Sequence, residues 1–363
     1  MPSSLYIGLM SGTSLDGVDA VLAHINNKGT KVRAHLHHPF SATVRRQLER
    51  LCSPGHNEIY ELGIAETQLT ECYAAIVEAL LAEAKISASQ VAAIGCHGQT
   101  LRHHPELGFS LQANNPGALA ARTGITVISD FRRADIALGG EGAPLVPRFH
   151  LHQFASKNHN KAVLNLGGIA NISLLTENSL SLGFDTGPAN TLLDAWCYQH
   201  TEKYYDNNGD WAASGNLLPT LLEKMLSDPY FALSPPKSTG REYFNLTWLE
   251  SFLQGNELPA DVQHTLAHLT LQSVLKAIPK HNVEELIICG GGAYNNFLIN
   301  LFKEALAPDT RVSTSAEYGL PPEQVEAAAF AWLAWAHINK VSGNSPQVTG
   351  ASKELVLGGL YYG

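Results

Sequence analysis

The sequence predicts an α/β protein built from two related domains. The chain has 363 residues, which is room for roughly two domains of ~150 residues each. Segments with strand-like patterns alternate along it with segments whose apolar residues recur at helical spacing. Two stretches, residues 5–24 and 162–175, both have the pattern strand, glycine-containing turn, strand. One such hairpin opening each half of the chain indicates a duplicated domain.

The first half of the chain begins with its hairpin and continues with helices and short strands. Alternating or continuous apolar residues mark the strands, and apolar positions three and four apart mark the helices. The elements predicted here, in chain order, are strands at Tyr6–Met10 and Gly17–His24, helices at Ala42–Cys52 and Glu58–Lys85, a strand at Val91–Gly95, a helix at Ala118–Thr123 and a strand at Thr126–Ser129.

A Gly- and Pro-rich break over Leu138–Pro144 separates the halves and is a reasonable domain boundary.

The last predicted helix is Ala-rich and follows Pro321-Pro322, as helix starts often do. The second half is predicted to contain the hairpin at 162–175, a helix at Thr191–Gln199, a strand at Leu286–Cys289 and helices at Asn296–Leu306 and Glu323–Ile338. We therefore expect domain I over residues 1–135, completed by 340–363, and domain II over 136–339.

Composition and charge exclude several classes of protein. The 24 Lys and Arg against 33 Asp and Glu give a net charge of −9, which argues against nucleic-acid and membrane-surface partners. The 5 cysteines include no C-x-x-C pair, so neither a disulfide framework nor a zinc ribbon is expected. No H-E-x-x-H or comparable spacing supports catalytic zinc. No membrane span or signal peptide is predicted, so we expect a cytoplasmic protein.

Three glycine clusters are candidate phosphate-binding turns. They are the turn from Gly12 to Gly17, the pair Gly167-Gly168 and the run Gly290–Gly292. Successive backbone N–H groups in such turns form a concave nest for phosphate oxygens. The alternative is that each is ordinary hairpin chemistry. Neither the P-loop pattern nor the dinucleotide fingerprint is present, which disfavours an NAD enzyme.

Three aspartates near these turns are candidates for chemistry. Asp185 stands between Gly183 and Gly187, just before a predicted helix, and is either the N-cap of that helix or a general base. Asp16 and Asp19 are candidate Mg²⁺ ligands through water, because Mg²⁺ with nucleotide is usually held by one or two carboxylates. Asp19 is equally well interpreted as a carboxylate on a strand surface.

Several blocks together resemble the anhydro-N-acetylmuramic acid kinase family, in order and over essentially the whole chain. They are Leu9–Asp19, Gly95–Thr100, Ser129–Arg133, Gly142–Pro147, Gly183–Asn190, Gly240–Asn245 and Gly290–Asn295. That family belongs to the superfamily of sugar kinases, heat-shock chaperone ATPases and actin. The resemblance therefore implies the actin-like ATPase, or ribonuclease H-like, fold, with two related domains and an ATP cleft between them.

The resemblance also implies which residues bind ATP. The implied ATP-binding residues are Gly12, Thr13, Ser14, Leu15, Asp16, Gly17, Val18 and Asp19 in the first loop, Gly167, Gly168 and Asn171 in the second, and Gly290, Gly291, Gly292 and Asn295 at the adenosine. In the wider superfamily both phosphate loops commonly begin with Asp, whereas Met10 and Asn165 stand at those positions here. The superfamily's Mg²⁺ ligands are therefore not transferred, which leaves Asp16 as the candidate ligand.

The implied reaction couples hydrolysis of the 1,6-anhydro bridge of 1,6-anhydro-N-acetylmuramic acid to phosphorylation of O6 by ATP, with Mg²⁺. Its products are N-acetylmuramic acid 6-phosphate and ADP, in peptidoglycan recycling and amino-sugar catabolism. Asp185 would deprotonate the water that attacks C1. The resemblance also suggests a homodimer.

For the sugar, Arg132 or Arg133 would bind the lactyl carboxylate, although either could instead form a structural ion pair. Glu326 resembles a family glutamate at the sugar site, with a solvated helix face as the alternative. His97 and Gln99 would bind sugar hydroxyls or the acetamide, or His97 is a buried histidine with its own partners.

Two other functions are compatible with the same scaffold. One is a kinase for a different small sugar, which would keep the ATP loops and change the sugar contacts. The other is a non-catalytic, ATP-gated binding module like the heat-shock chaperones. The glycine clusters account for the whole chain and leave no separate peptide-binding domain, which disfavours the second.

Overall fold

The chain folds into two mixed β-sheets, each covered by helices. The computed structural model describes residues 4–12, 14–157, 159–176, 179–235, 237–278 and 283–363. Two compact units result. Unit 1 is the chain up to Gln153 together with Gln324–Gly363, and unit 2 is Phe154–Glu323.

The described residues contain strands and α-helices in alternating groups. The strands are β1 (Leu5–Ser11), β2 (Gly17–Asn26), β3 (Gly29–Pro39), β4 (Val91–His104), β5 (Phe109–Ala113), β6 (Val127–Ser129), β7 (Lys161–Leu166), β8 (Ile169–Thr176), β9 (Ser179–Pro188), β10 (Glu285–Cys289), β11 (Arg311–Thr314) and β12 (Gly359–Tyr361). The helices are α1 (Ala42–Leu51), α2 (Glu58–Ala84), α3 (Pro116–Thr123), α4 (Arg133–Ile136), α5 (Val146–Phe154), α6 (Asn190–Thr201), α7 (Asp210–Ala213), α8 (Pro219–Leu226), α9 (Leu246–Glu250), α10 (Pro259–Ala277), α11 (Asn296–Leu306), α12 (Val325–Ile338) and α13 (Pro346–Thr349).

The two sheets repeat one topology. In unit 1 the order is β12-β6-β4-β1-β2-β3, with β5 beside the extended end of β4, and in unit 2 it is β11-β10-β7-β8-β9. In unit 1, β1, β2 and β3 are antiparallel neighbours, and β4 and β6 run parallel to β1. In unit 2, β7, β8 and β9 are antiparallel neighbours, and β10 and β11 run parallel to β7. This repeat is the topology of the actin-like ATPase fold. The predicted duplicated α/β architecture is confirmed.

Helix α12 forms the core of unit 1 together with the sheet. Every residue from Ala327 to Ala336 is buried, so the helix is apolar on all sides, as a core helix must be. Gly8 on β1 and Gly95 on β4 face it so closely that a methyl group on either would overlap the carbonyl oxygen of Ala327 or Phe330. The two glycines therefore allow the helix backbone to lie directly on the sheet.

The two units are bounded differently from the predicted domains. Helix α12 packs on the first sheet and α5 contacts α12 through the rings of Phe149 and Trp332, so the boundaries fall at Gln153 and Gln324. The Gly- and Pro-rich break at 138–144 lies within unit 1, because the N–H of Glu141 bonds the carbonyl of Thr349 at 2.7 Å. It is a loop fastened to the C-terminal segment and does not act as a linker.

One strand that carries candidate residues extends further than its sequence pattern indicated, and another was not predicted. The strand predicted at Val91–Gly95 continues to His104, which places His97 and Gln99 inside β4 and not after it. Asp185 lies within β9, for which no strand was predicted. None of the helices in the described part of the chain is both long and apolar enough to cross a membrane.

Candidate active site

The turn between β1 and β2 carries the first predicted phosphate loop. The N–H of Leu15 bonds the carbonyl of Gly12 at 3.3 Å, and Leu15 has a left-handed φ of 55°. The Ser14 hydroxyl donates to the carboxylate of Asp16, which is exposed on the turn. Thr13 lies outside the described residues. The described residues of the turn thus present backbone groups, the Ser14 hydroxyl and the Asp16 carboxylate.

Other predicted residues of this loop have structural contacts. The side chains of Leu15 and Val18 are buried in the apolar core, so only their backbone could face a ligand. Gly17 begins β2 and pairs with Pro39 of β3. Asp19 accepts hydrogen bonds from His35 Nε2 and His37 Nδ1 through one oxygen, both at 3.1 Å. The structure therefore places Asp19 against β3 as a strand-surface carboxylate.

Gln99 anchors this turn to β4. Its amide Nε2 donates to the carbonyl of Gly12 at 3.1 Å, and its side chain is fully buried. The Ser11 hydroxyl adds a second tie, donating to the carbonyl of Gly98 at 3.1 Å. The structure thus brings Gln99 to the first glycine turn, where it holds the backbone in place.

His97, Arg132 and Glu326 come together in unit 1. The Nε2 atom of His97 lies 2.8 Å from a terminal nitrogen of Arg132, and the other terminal nitrogen donates to the carbonyl of Gly142 at 2.7 Å. Burial, and next the charge of Arg132, hold the pKa of His97 well below its usual range. Because guanidinium only donates, the neutral imidazole accepts at Nε2 and carries its proton on Nδ1.

Arg132 remains charged in this environment, and Arg133 does not share it. Burial lowers the pKa of Arg132 to about 10, while the charges of Glu326 and Asp135 oppose that shift. Arg133 is 61% exposed and lies 3.7 Å from Asp130. Of the two arginines that the sequence left as alternatives, the structure brings only Arg132 to His97 and Glu326.

Asp185 lies on β9 of unit 2 and is held by Tyr230, Lys237 and Thr239. Its N–H donates to the carbonyl of Lys237 at 3.1 Å, and its own carbonyl accepts from the Tyr230 hydroxyl at 2.7 Å. The N–H of Thr239 donates to Oδ2 at 3.1 Å. Helix α6 begins at Asn190 with Ala189 as its N-cap, so the N-cap interpretation of Asp185 is wrong.

The electrostatics suit Asp185 to proton transfer near neutral pH. Burial raises the pKa of Asp185 to about 6, and the charge of Glu242 adds to the increase. The hydrogen bond from Thr239 and the charge of Lys237 oppose it. A carboxylate with this pKa is mostly ionised at pH 7 and is still a stronger base than an exposed aspartate.

The turn between β7 and β8 lies at the start of α6. The carbonyl of Gly168 accepts from the N–H groups of Ala189 and Thr191, both at 3.0 Å. A methyl group on Gly168 would lie 2.7 Å from the Thr191 hydroxyl and 3.5 Å from Arg241 Nε. Arg241 is therefore a cation beside the second turn. It lies in Gly240–Asn245, one of the blocks that resemble the family, but it was not predicted as a site residue.

Asn171, the last predicted residue of the second loop, lies on β8 and not in the turn. It pairs with Asp185 across the β8–β9 ladder, next to an irregularity at Ala170. The structure therefore makes Asn171 a direct neighbour of the candidate base.

A cavity of about 660 Å³ in unit 2 lies beside the third glycine cluster. It is the right size for a nucleoside-sized ligand. Gly291, Gly292 and Asn295 line it, and Gly290 begins the turn with a left-handed φ of 78°. The side chain of Asn295 is occupied in capping α11, since it accepts from the N–H of Leu298 at 3.0 Å.

Sequence reasoning missed most of the remaining cavity wall. These lining residues come from α6, from the segment that follows it and from the chain after the third glycine cluster: Asn190, Leu193, Asp194, Tyr205, Asp206, Asn207, Asn208, Ala293, Tyr294 and Asn296. Burial raises the pKa of Asp194 to about 7, with Arg241 opposing and Asp206 adding to the shift. The run Tyr205–Asn208 has no periodicity, and its composition of turn-forming residues was the only available signal.

Within the described ranges, no three His, Cys, Asp or Glu side chains come together as they would to hold a metal ion. Asp16 accepts a hydrogen bond from the Ser14 hydroxyl and belongs to no such group among the described residues.

Comparisons with known proteins agree with the resemblance. The family model described as anhydro-N-acetylmuramic acid kinase matches residues 4–363. The protein of that name from Shewanella halifaxensis (strain HAW-EB4) is 48% identical over 367 residues, 99% of each chain. The one from Variovorax paradoxus (strain S110) is 48% identical over 374 residues, covering 99% of this chain and 100% of the relative.

Solved structures show more distant likeness. Component A of (R)-2-hydroxyglutaryl-CoA dehydratase from Acidaminococcus fermentans aligns with 91% of this chain and 96% of its own, at 10% identity and a TM-score of 0.48. The family itself is shown by the full-length match and by relatives identical at nearly half of the positions. The chain belongs to the anhydro-N-acetylmuramic acid kinase family.

Proposed function

We propose that the protein is an ATP-dependent kinase that opens the 1,6-anhydro ring of 1,6-anhydro-N-acetylmuramic acid with water and phosphorylates O6. The observation that carries this proposal is the family match over residues 4–363. Water adds to C1 and the bond from C1 to O6 breaks. O6 then takes the γ-phosphoryl group of ATP, which gives N-acetylmuramic acid 6-phosphate and ADP. Breaking the first bond creates the nucleophile for the second step.

Asp185 is the general base of this reaction. Its carboxylate takes the proton of the attacking water, for which a raised pKa of about 6 is suited. The Thr239 N–H fixes one carboxylate oxygen and so orients the other. Asn171 on the neighbouring strand and the turn at Gly168 belong to the same sheet, which gives the base a rigid support.

Arg132 binds the lactyl carboxylate of the sugar. Its guanidinium has five N–H donors, and two of the nitrogens are already fixed by His97 and Gly142. Within the described part of the chain its buried Nε has no hydrogen-bond partner. The neutral His97 and the carboxylate of Glu326, at the first turn of α12, contribute to the same sugar site.

The glycine turns bind ATP through backbone N–H groups, and the cavity beside Gly291 takes the adenosine. This accounts for phosphate binding by a chain whose net charge is −9. Asp16 and Ser14 are hard oxygen donors of the kind that Mg²⁺ accepts alongside phosphates, so they fit that ion. When bound, Mg²⁺ would neutralise charge on the transferred phosphoryl group. The unpaired cysteines support a location in the cytoplasm. The family resemblance supports a homodimer.

A coupled assay tests this function directly. The protein is incubated with ATP, Mg²⁺ and 1,6-anhydro-N-acetylmuramic acid in oxygen-18-labelled water. We expect ADP release and a sugar phosphate that carries the label at C1 and none in the phosphate group. N-acetylmuramic acid and N-acetylglucosamine, which have no anhydro bridge, are the controls. Turnover of a control sugar without turnover of the anhydro sugar would refute the proposal.

A further inference from the structure

Asp135 is a fully buried carboxylate in unit 1 that the proposed chemistry does not use. Its Oδ2 accepts from the N–H of Gly142 at 2.8 Å. Its Oδ1 accepts from Asn344 Nδ2 at 2.7 Å and from the Thr349 hydroxyl at 2.8 Å. Three donors to a completely buried carboxylate form a charge-assisted network of the kind that rigidifies its surroundings.

This network continues without interruption to Arg132. Gly142 bonds Asp135 through its N–H and accepts from Arg132 through its carbonyl, at 2.8 and 2.7 Å. The loop that contains Gly142 is also tied to the C-terminal segment at both ends. The N–H of Glu141 bonds the carbonyl of Thr349, and the N–H of Ser352 bonds the carbonyl of Leu138. The position of the Arg132 guanidinium is thus set by residues more than 200 positions later in the chain.

We propose that Asp135, held by Asn344 and Thr349, is a positioning residue that aims Arg132 at the carboxylate of the substrate. The inference rests on the proposed function, because it deepens the role given there to Arg132. Asp135 acts through Gly142 and does not itself touch the sugar. The C-terminal segment from Asn344 to Thr349 thereby becomes a determinant of selectivity for a sugar that carries a carboxylate.

Electrostatics supports the same connection. Burial lowers the pKa of Arg132, and the negative charges of Glu326 and Asp135 both oppose that shift. Asp135 therefore helps to keep the guanidinium charged as well as placed. A displacement of this group by a fraction of an ångström weakens a two-point contact with a carboxylate, because such contacts are strongly directional.

The test removes one donor and keeps the shape of the side chain. Thr349→Val deletes the hydroxyl, and Thr349→Ser is the matched control that retains it. We expect Thr349→Val to raise KM for the anhydro sugar about fivefold, the effect of roughly one hydrogen bond, with KM for ATP unchanged. Thr349→Ser should have the same KM for the anhydro sugar as the wild-type protein. Because thermal unfolding could also shift, sugar affinity is measured by calorimetry well below the unfolding midpoint of each variant.

A double-mutant cycle separates positioning from a general structural effect. If Thr349 acts through Arg132, Thr349→Val has no further effect on sugar affinity in an Arg132→Ala background. An equal loss in both backgrounds would overturn the inference. So would an unchanged sugar KM in Thr349→Val when Arg132→Ala alone raises it, and the proposed function would then stand. If the wild-type protein does not turn over the anhydro sugar, or Arg132→Ala leaves its KM unchanged, the proposed role of Arg132 fails and the inference with it.

Discussion

The backbone N–H of Thr239 donates to Oδ2 of Asp185 at 3.1 Å. This bond fixes one oxygen of a carboxylate whose pKa burial raises to about 6. A backbone donor cannot be lost by rotation of a side chain, so the orientation of Asp185 is built into the loop that follows Lys237. The geometry leads to two predictions about the reaction.

Replacing Asp185 should stop the reaction and leave ATP binding intact. Asp185→Asn keeps the size of the side chain and removes the base, so kcat should fall by at least about a hundredfold. ATP affinity, measured by calorimetry, should stay within about twofold of wild type because Asp185 contacts no nucleotide in the proposed arrangement. Asp309→Asn, at an exposed aspartate of unit 2, is the matched control. Activity above a hundredth of wild type would contradict a base role.

The rate should depend on pH through the titration of Asp185. A base works in its ionised form, so kcat/KM should be level above about pH 6 and fall about tenfold per unit below it. Burial also raises the pKa of Asp194, to about 7, which offers a second source for an acidic limb. Asp194→Asn distinguishes the two. The limb near pH 6 should remain in that variant, and its disappearance there would assign the limb to Asp194.

The sign of the Asp185 shift also concerns stability. Its pKa in the folded protein is raised above the ordinary value of 3.8. The contribution of Asp185 to the free energy of unfolding is therefore fully present below pH 3.8 and is lost as the pH rises through about 6. Asp185→Asn should accordingly be at least as stable as wild type at pH 8, as measured by urea unfolding. A large loss of stability at pH 8 would show that ionised Asp185 supports the fold.

Gly12 should matter for ATP and little for folding. Apart from its two neighbours in the chain, the one described group within 4 Å of a Cβ built on Gly12 is the Ser14 hydroxyl, at 3.7 Å, which leaves room for a side chain. Gly12→Val should lower ATP affinity at least about tenfold while changing the free energy of unfolding by only about 0.5 kcal/mol. Gly63→Val is the control, since no described group outside the surrounding backbone of α2 lies within 4 Å of its Cβ position. Unchanged ATP affinity in Gly12→Val would remove this turn from the binding site.

Gly8 should show the opposite behaviour. A methyl group there would overlap the carbonyl oxygen of Ala327, so β1 or α12 must shift. Gly8→Ala should reduce the free energy of unfolding by about 2–3 kcal/mol, the usual result of overpacking a core. Gly63→Ala is the control and should stabilise by up to ~1 kcal/mol, since alanine favours a helix. Equal stability of Gly8→Ala and wild type in urea would contradict the close packing of α12.

The duplicated fold could be predicted because each of its two hairpins is encoded by a short, local sequence pattern. Residues 5–24 and 162–175 combine apolar strands with glycine turns, and both are hairpins in the structure. Strand β3 was missed because it lies at a sheet edge, is largely polar and is only partly buried. The unit boundaries were missed because the packing of α12 against β1 and β4 is a long-range contact that no local pattern records.

The site could be predicted only in part for the same reason. His97, Arg132 and Glu326 come from a strand, a loop and a distant helix, and the family resemblance, not periodicity, associated them. The N-cap and base interpretations of Asp185 could not be separated until its place within β9 was known. Gln99 was assigned to the sugar, and its bond to Gly12 is a further contact, with the first turn, that no local pattern indicated.

The packing of α12 on the first sheet has a consequence for synthesis on the ribosome. About 220 residues separate the end of β4 from the start of the helix that covers it. At roughly 5–20 residues per second, the face of the nascent sheet on which α12 packs stays uncovered for ~10–45 s. Unit 2 is continuous in the chain and has all its strands before α12 is made. The half of the protein that is translated first is therefore the last to be completed.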